Sequence, residues 1–254
     1  MNTIPAIEKN LPPCYRKLIP LVPDQHALLG VCGNSDYTFA ATTNSFPLAV
    51  DEFAAAQKHY PILFTVGEHP MPAALVSLQD RVNPYVDAMG HWLNSAYVPA
   101  YVRRFPFMLL RAQAGKSDFA LCIDPTAQNV GDDYERKLFA DGEPTPFAKS
   151  ILDFCVAYQK ALDTTRRIGT KLRALDLFTE PTIKVSHASR RIQLTGFQVV
   201  DEQRLRQLPD DRLADLARSG LLGSVYAHLF SLSALGRLEG LSATFGTLAD
   251  SDAS

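Results

Sequence analysis

The chain has 254 residues, of which 46% are hydrophobic and 20% are charged, a profile typical of an ordinary globular protein with a buried core. Its formal net charge is −2 at pH 7, and its basic residues are scattered, with no more than two in succession. This composition indicates a folded domain with a hydrophobic core. The scattered basic residues form no positively charged run typical of nucleic-acid binding, so we expect no nucleic-acid partner.

The cysteines and the apolar stretches bear on the compartment. The four cysteines form no C-x-x-C pair and stand far apart, so we expect reduced thiols at Cys14, Cys32, Cys122 and Cys155. The N-terminus lacks the basic, apolar and small-residue pattern of a classical secretory signal. The least polar long stretch, Leu221–Leu235, has 15 residues, which is short of the roughly 20 that a membrane helix needs. The sequence predicts a cytoplasmic protein without a membrane span.

The N-terminal residues 1–25 contain five of the 17 prolines and are interpreted as an extended arm laid over the body. After the arm, the residue pattern predicts a strand at Ala27–Val31 and a second strand at Tyr37–Ala41. A cluster of turn-forming residues at 33–36 separates the two strands.

Residues 45–124 contain a pattern that occurs twice. The stretch "AAQKHYPILFT" (Ala55–Thr65) and the stretch "AYVRRFPFMLL" (Ala100–Leu110) both run from alanine through two basic residues to an aromatic residue, a proline and an apolar run. Proline ends a helix and launches an extended strand. The two stretches therefore predict one helix–proline–strand–turn–strand unit used twice. The predicted elements are a helix at Asp51–His59 with strands at Ile62–Val66 and Ala73–Leu78, then a helix or turn at Leu93–Arg104 with strands at Phe107–Arg111 and Phe119–Ile123.

The second half of the chain is richer in helical periodicity. Apolar residues at three- and four-residue spacing predict a long helix at Pro146–Leu177, within residues 145–178. A hairpin is expected next, with strands at Thr182–Ser186 and Ile192–Val200, and helices are expected within residues 205–241. The sequence thus predicts a single α+β domain. Its mostly antiparallel sheet is built around the duplicated unit and is covered by the long central helix and a C-terminal helical pair.

Several stretches together resemble the SapC family of bacterial proteins over nearly the whole chain. They are "DYTFAA" (Asp36–Ala41), "HYPILFT" (His59–Thr65), "WLNSAYVPAYVRRFPF" (Trp92–Phe107), "LCID" (Leu121–Asp124), "LFADGEPTP" (Leu138–Pro146), "LTGFQVVDEQRL" (Leu194–Leu205) and "YAHLFSL" (Tyr226–Leu232). The resemblance implies one SapC-like domain over residues 1–254 and an association with surface-layer proteins or with a peptide-related system. It implies no reaction, cofactor or catalytic residue.

The sequence contains no local catalytic or cofactor motif. It lacks the G-x-S-x-G elbow of serine hydrolases and both glycine-rich nucleotide-binding patterns. Its six histidines form no spacing suited to a metal triad, so we expect no metal and no cofactor. His228 lies beside an apolar stripe of its predicted helix and is interpreted as a hydrogen-bonded core histidine.

The best candidate site is the segment from His91 to Phe107. Its aromatic residues and arginines are types that line recognition grooves, since rings give contact area and arginine binds carboxylates in a fork. With the matching residues of the first unit, the candidate ligand-binding set is Trp92, Tyr101, Arg103, Arg104, His59 and Tyr60. The alternative is a core corner in which arginine stems pack on aromatic rings. Because Arg103 and Arg104 are adjacent, we expect one to pack across Tyr101 or Phe105 while the other projects toward a ligand or the neighbouring unit.

Two function classes follow from this segment. The preferred one is an accessory or binding protein of the SapC type that recognises a peptide, a protein or a small anionic ligand. The sequence is also compatible with a homo-oligomer. The alternative is an enzyme or cofactor-binding protein whose site is assembled from the two units, with His59 and Arg104 at equivalent positions. A shared concave pocket for the basic pairs would favour the enzyme, and basic pairs that point apart would favour the binding protein.

Overall fold

A computed structural model describes residues 11–33, 36–93, 95–111, 119–187, 190–238 and 240. Parts of six sequence predictions lie outside these ranges. They are the first ten residues of the proline-rich arm, two residues of the turn cluster at 33–36, one residue of the candidate segment from His91 to Phe107, the turn between the strands of the second unit, the tip of the hairpin, and the end of the C-terminal helical region.

The described ranges contain seven α-helices and three short 3-10 helices with defined bounds, and residues 235–238 and 240 are also helical. The α-helices are α1 (Pro23–His26), α2 (Phe53–Ala56), α3 (Ala100–Arg103), α4 (Pro146–Ala174), α5 (Glu202–Arg206), α6 (Asp210–Arg218) and α7 (Leu221–Ser231). The 3-10 helices are Thr38–Ala40, Val50–Glu52 and Leu232–Ala234. The long central helix and the C-terminal pair α6 and α7 confirm the helical part of the predicted fold.

Fifteen strands, many of only two residues, accompany these helices in the same ranges. They are β1 (Ile19–Pro20), β2 (Gly30–Val31), β3 (Ser45–Pro47), β4 (Ile62–Thr65), β5 (Pro72–Leu75), β6 (Phe107–Arg111), β7 (Phe119–Ile123), β8 (Val130–Gly131), β9 (Arg136–Lys137), β10 (Phe139–Ala140), β11 (Glu143–Pro144), β12 (Phe178–Thr179), β13 (Ile183–His187), β14 (Arg190–Leu194) and β15 (Phe197–Val200).

The sheets are antiparallel, as the sequence predicts. The largest has five strands in the order β12-β15-β4-β5-β3. Two sheets of three strands have the orders β1-β7-β6 and β8-β2-β9, and the pairs β10-β11 and β13-β14 stand apart. The α+β class is therefore confirmed, although the sheet is divided into several pieces.

Two of the predicted N-terminal strands are wrong in whole or in part. The segment Tyr37–Ala41 is not a strand, because Thr38–Ala40 forms a 3-10 helix. The side chain of Asp36 accepts a hydrogen bond from the backbone N–H of Thr38 (2.8 Å), which turns the chain at this point. The strand expected at Ala27–Val31 is reduced to β2, because α1 ends only at His26.

The duplicated unit is not confirmed, although the two segments share an order of elements. A short helix precedes each proline, and two antiparallel strands follow it. The pairing registers differ, because Ile62 faces Ala74 across β4 and β5 whereas the corresponding Phe107 faces Ile123 across β6 and β7. The two hairpins also belong to different sheets.

Helix α4 has a clear start. The hydroxyl of Thr145 accepts a hydrogen bond from the backbone N–H of Ala148 (3.2 Å), and Pro146 occupies the first helical position, where no N–H is required. The helix packs against β6 near its beginning and against the 3-10 helix Val50–Glu52 further along. There the hydroxyl of Thr165 accepts a hydrogen bond from the N–H of Val50 (2.9 Å). Helix α4 thus bridges the sheet β1-β7-β6 and the connection between β3 and β4 of the five-stranded sheet.

His228 of α7 is fully buried and connects the helix to the five-stranded sheet. Its Nε2 accepts a hydrogen bond from the N–H of Val200 (3.0 Å), and its Nδ1 donates to the carbonyl of Ile62 (2.8 Å). Ser231, one turn later, accepts a hydrogen bond from the N–H of Ile62 (2.9 Å). The prediction of a hydrogen-bonded core histidine is confirmed.

In the described ranges, no helix combines the length and the apolar composition that crossing a lipid bilayer requires.

The close approach of α4 to the loop before β5 generates a first prediction. A Cβ atom at Gly169 would overlap the carbonyl oxygen of Pro70. We expect Gly169→Ala to lower the free energy of unfolding by about 1–3 kcal/mol, because backbone would have to move. Gly223→Ala in α7 is the matched control, since a Cβ there meets no atom within 4 Å, and it should be neutral or stabilising by up to about 1 kcal/mol. Urea unfolding of both variants tests this, and equal effects would contradict it.

The burial of His228 generates a second prediction. Burial lowers the pKa of His228 to about 4, against a hydrogen bond to Ile62 that acts in the opposite direction. Between pH 6.5 and pH 4 the unfolded chain therefore binds the additional proton, and stability falls as the pH falls. The loss attributable to this histidine is about 3 kcal/mol over that window.

The variant His228→Gln can still accept and donate but does not titrate. We expect its unfolding free energy to be lower at pH 7 and to depend less on pH between 6.5 and 4.5 than that of the parent. The control is His69→Gln, because His69 is exposed and forms no ion pair in the described ranges, and it should keep the parental pH dependence. Identical pH dependence in His228→Gln and the parent would show that His228 is not the responsible group.

Candidate functional site

The six predicted ligand-binding residues differ in exposure. Tyr60, Trp92 and Tyr101 are buried, and Arg104 is only 9% exposed. His59 is half-buried, and Arg103 is exposed. Their role in ligand binding stays a prediction, but Arg103 is the only one of these six residues that is exposed.

The buried aromatic residues form an internal hydrogen-bonded chain. The indole N–H of Trp92 donates to the hydroxyl of Tyr60 (3.1 Å), which donates to the carbonyl of Tyr97 (2.5 Å). The hydroxyl of Tyr85 donates to the carbonyl of His59 (3.0 Å), and its ring lies nearly parallel to that of Trp92. Burial raises the pKa of Tyr60 far above its usual range. These side chains therefore hold the segment around Tyr97 against the turn before β4.

Arg104 lies inside a cage of tyrosine rings. Its guanidinium carbon is 4.5 Å from the ring centre of Tyr101, 5.0 Å from that of Tyr158 and 5.8 Å from that of Tyr15. No carboxylate forms an ion pair with it in the described part of the chain, and two neighbouring buried atoms, Nε of Arg104 and the hydroxyl of Tyr158, have no hydrogen-bond partner there. The ring faces thus provide the main stabilisation of this buried charge.

Glu52 is a buried carboxylate that the sequence analysis read only as part of a helix start. Its Oε1 accepts hydrogen bonds from the N–H of Ala100 (2.7 Å) and the hydroxyl of Tyr97 (2.9 Å), and its Oε2 accepts one from the N–H of Ala49 (2.9 Å). Burial raises the pKa of Glu52, while these hydrogen bonds lower it. The carboxylate accepts a hydrogen bond from the first N–H of α3. Pro99, at the preceding position, has no side-chain acceptor that could replace it.

Arg103 is exposed but held in place. Its Nε donates to the carbonyl of Val98 (3.1 Å), and one of its terminal nitrogens donates to the hydroxyl of Tyr97 (3.2 Å). The guanidinium carbon is 5.7 Å from the ring centre of Tyr97 and 5.4 Å from that of Phe154 in α4. Its other terminal nitrogen makes no hydrogen bond within the described ranges. We call Arg103, Tyr97 and Phe154 the Arg103 surface.

The two arginines divide their roles as their adjacent positions predict. Arg104 packs on Tyr101, whereas Arg103 projects outward from the same short helix. The packing part of that expectation is met, and the ligand-binding part stays a prediction.

His59 and Arg104 have different surroundings. Burial lowers the pKa of His59, and the nearby charges of Arg237 and Lys58 act in the same direction. Arg104 is instead surrounded by tyrosines on α4, α3 and the N-terminal segment. The geometry therefore does not bring the two basic residues together in one concave site.

No group of three or more His, Cys, Asp or Glu side chains in the described part of the chain is arranged to hold a metal ion.

Comparison with known proteins gives one match. A family model described as SapC matches residues 21–238, a stretch that contains the tyrosine cage around Arg104 except Tyr15, and the whole Arg103 surface. The chain matches no curated protein and no solved structure.

The tyrosine cage generates a third prediction. Arg104→Ala would leave a cavity between the three rings, and we expect a loss of about 2–4 kcal/mol in unfolding free energy. Arg104→Met fills most of that volume and removes a buried charge without a carboxylate partner, so it should lose less than half as much. Arg103→Met is the exposed control and should lose less than about 1 kcal/mol. If Arg104→Met were as damaging as Arg104→Ala in denaturant unfolding, the guanidinium rather than packing would be the essential feature.

Proposed function

The chain belongs to the SapC family, and we propose that it acts as a binding protein that recognises a carboxylate group of a peptide or of another protein through the Arg103 surface. The proposal rests on one observation, the exposed guanidinium of Arg103 held between the rings of Tyr97 and Phe154.

An arginine held in this way is suited to a carboxylate. Its planar fork matches the two oxygens of a carboxylate, and stacking on rings restricts the side chain before the partner arrives. Nε and one N–H of a terminal nitrogen donate to Val98 and Tyr97. The second N–H of that nitrogen and the other terminal nitrogen form the open edge of the group, which can bind both oxygens of a carboxylate. No acidic side chain of the described residues forms an ion pair with Arg103. Its charge is therefore available to the carboxylate of a partner.

The network below Arg103 supports the same role. The hydroxyl of Tyr97 accepts a hydrogen bond from Arg103 and donates one to Glu52. This path connects an exposed cation to a buried carboxylate and orients the guanidinium without neutralising it in a direct contact. An exposed surface of this kind favours an extended partner that presents its carboxylate, such as a peptide or a protein segment.

Peptide arrays test the proposal with the full chain. The array holds matched pairs that end in a free carboxylate or an amide, and matched pairs that carry Glu or Gln. We expect preferential binding to the carboxylate member of the pairs, and weaker binding at high salt. Arg103→Lys should lose at least about tenfold in affinity because it cannot form the forked contact.

The matched control is Arg136→Lys, since Arg136 is also exposed and lies over the ring of Phe147 at 5.8 Å. This control should bind as the parent does. Equal binding to the two members of each pair, or equal losses in Arg103→Lys and Arg136→Lys, would refute recognition of a carboxylate by Arg103.

A further inference from the structure

A cavity of about 200 Å³ lies apart from the residues of the Arg103 surface. It is lined by residues of four segments. These are the N-terminal segment, the turn at the start of the 3-10 helix Thr38–Ala40, the segment with Phe105, and the loop after β7. The residues that matter for its chemistry are Arg16, Asp36, Phe39, Phe105, Asp124 and Asn129. At about 30 Å³ for each water of the liquid, a volume of this size is far larger than one buried water requires.

The floor of the cavity is apolar. The rings of Phe39 and Phe105 are stacked, with centres 3.8 Å apart and planes 15° from parallel. Phe105 is 6% exposed and Phe39 is half-buried. Both rings line the cavity, so the apolar part of a small molecule can contact them there.

Asp124 builds the wall rather than the binding contact. It is 1% exposed, and its Oδ2 accepts hydrogen bonds from the N–H groups of Arg16 (2.7 Å) and Lys17 (3.2 Å). Its Oδ1 accepts two from Thr126, from the N–H (2.9 Å) and the hydroxyl (2.7 Å). Both oxygens are thus occupied within the protein, and they fix the backbone of Arg16 against the loop after β7.

Asn129 lines the same cavity and carries a buried donor that is not used in the described part of the chain. Its Nδ2 is buried and has no hydrogen-bond partner in the described part of the chain. The backbone of Asn129 is held in place, since its carbonyl accepts a hydrogen bond from the N–H of Cys32 (2.9 Å). A buried donor without a partner is unfavourable, and an acceptor atom of a bound molecule would relieve that cost.

Arg16 supplies positive charge at the rim. Its side chain is exposed and lines the cavity, and it forms no ion pair within the described ranges. We propose that the cavity binds a small organic monocarboxylate, with its carboxylate between Arg16 and Asn129 and its apolar body on the stacked rings of Phe39 and Phe105. Asp36 also lines the cavity. Its negative charge opposes any anion and opposes one with two charges most strongly, so that Arg16 has to offset it for a monocarboxylate.

Three probes of the same shape test the charge requirement. Benzoate, benzamide and benzylamine are titrated into the ¹⁵N-labelled full chain, and the side-chain amide signal of Asn129 is followed. We expect saturable binding of benzoate that shifts this signal, binding of benzamide at least about tenfold weaker, and no saturable binding of benzylamine. Absence of saturable benzoate binding, or equal binding of benzamide, would overturn the proposal. Tighter binding of benzylamine would also overturn it, and would indicate recognition of a cation by Asp36.

Two variants test the proposed contacts. Arg16→Met should weaken benzoate binding at least about tenfold without lowering the melting temperature, because the side chain is exposed. Asn129→Leu should also lose benzoate binding, yet its melting temperature should stay the same or rise, since the side chain donates no hydrogen bond through Nδ2 in the free protein. Arg212→Met, at an exposed arginine on α6, is the control and should bind benzoate as the parent does. Unchanged binding in Arg16→Met, or a melting temperature that falls in Asn129→Leu, would contradict the assignment.

Discussion

The buried carboxylate of Glu52 holds the connection between β3 and β4 against the start of α3. It accepts hydrogen bonds from its own turn at Ala49 and from Ala100, 48 residues later in the chain. The N–H of Val50, the residue after Ala49, donates a hydrogen bond to the hydroxyl of Thr165 in α4. Three segments that are distant in the sequence therefore meet within one turn of backbone. A charge buried in this way is tolerated only because backbone and side-chain donors surround it. The position of α3, and of the two arginines at its C-terminal end, depends on the hydrogen bond between Glu52 and Ala100.

The placement of α3 explains why adjacent arginines behave so differently. Successive residues on a helix point about 100° apart, so one of the pair turns toward the core when the other faces water. Glu52 and Tyr97 hold the start of this short helix, which directs Arg103 toward Phe154 and the solvent. Arg104 is then directed among the tyrosines. One constraint therefore generates both the packed corner and the exposed surface.

Local patterns predicted much of the fold. The long helix begins at Pro146 as expected, and β6 and β7 have the predicted bounds, because apolar periodicity and proline act over a few residues. The strand expected at Tyr37–Ala41 failed because one side-chain hydrogen bond from Asp36 favours a turn over a β-prone sequence. The pairing register of the two hairpins could not be read from matching segments, since it depends on the length of the turns between the strands.

The candidate site was harder to predict because composition does not distinguish a groove from a core. Aromatic rings and arginines are favoured in both places, and only the three-dimensional arrangement shows that Trp92 and Tyr101 are enclosed while Arg103 is open. Glu52 was missed for a related reason. An acidic residue at a helix start is ordinarily exposed, and nothing near it in the sequence indicates its partner at Ala100.

Three buried side-chain atoms without a hydrogen-bond partner in the described ranges fall into two kinds, which differ in their surroundings. Nε of Arg104 and the hydroxyl of Tyr158 are enclosed, and the ring faces around the guanidinium offset part of the cost of its burial. Asn129 instead lines a cavity that Arg16 also lines, and its Nδ2 is buried without a hydrogen-bond partner in the described ranges. A group enclosed among rings can be explained by packing alone, whereas the side chain of Asn129 can gain a partner when a molecule enters the cavity beside it. A small ligand is therefore expected beside Asn129 and not beside Arg104, although the sequence pattern favours the arginine.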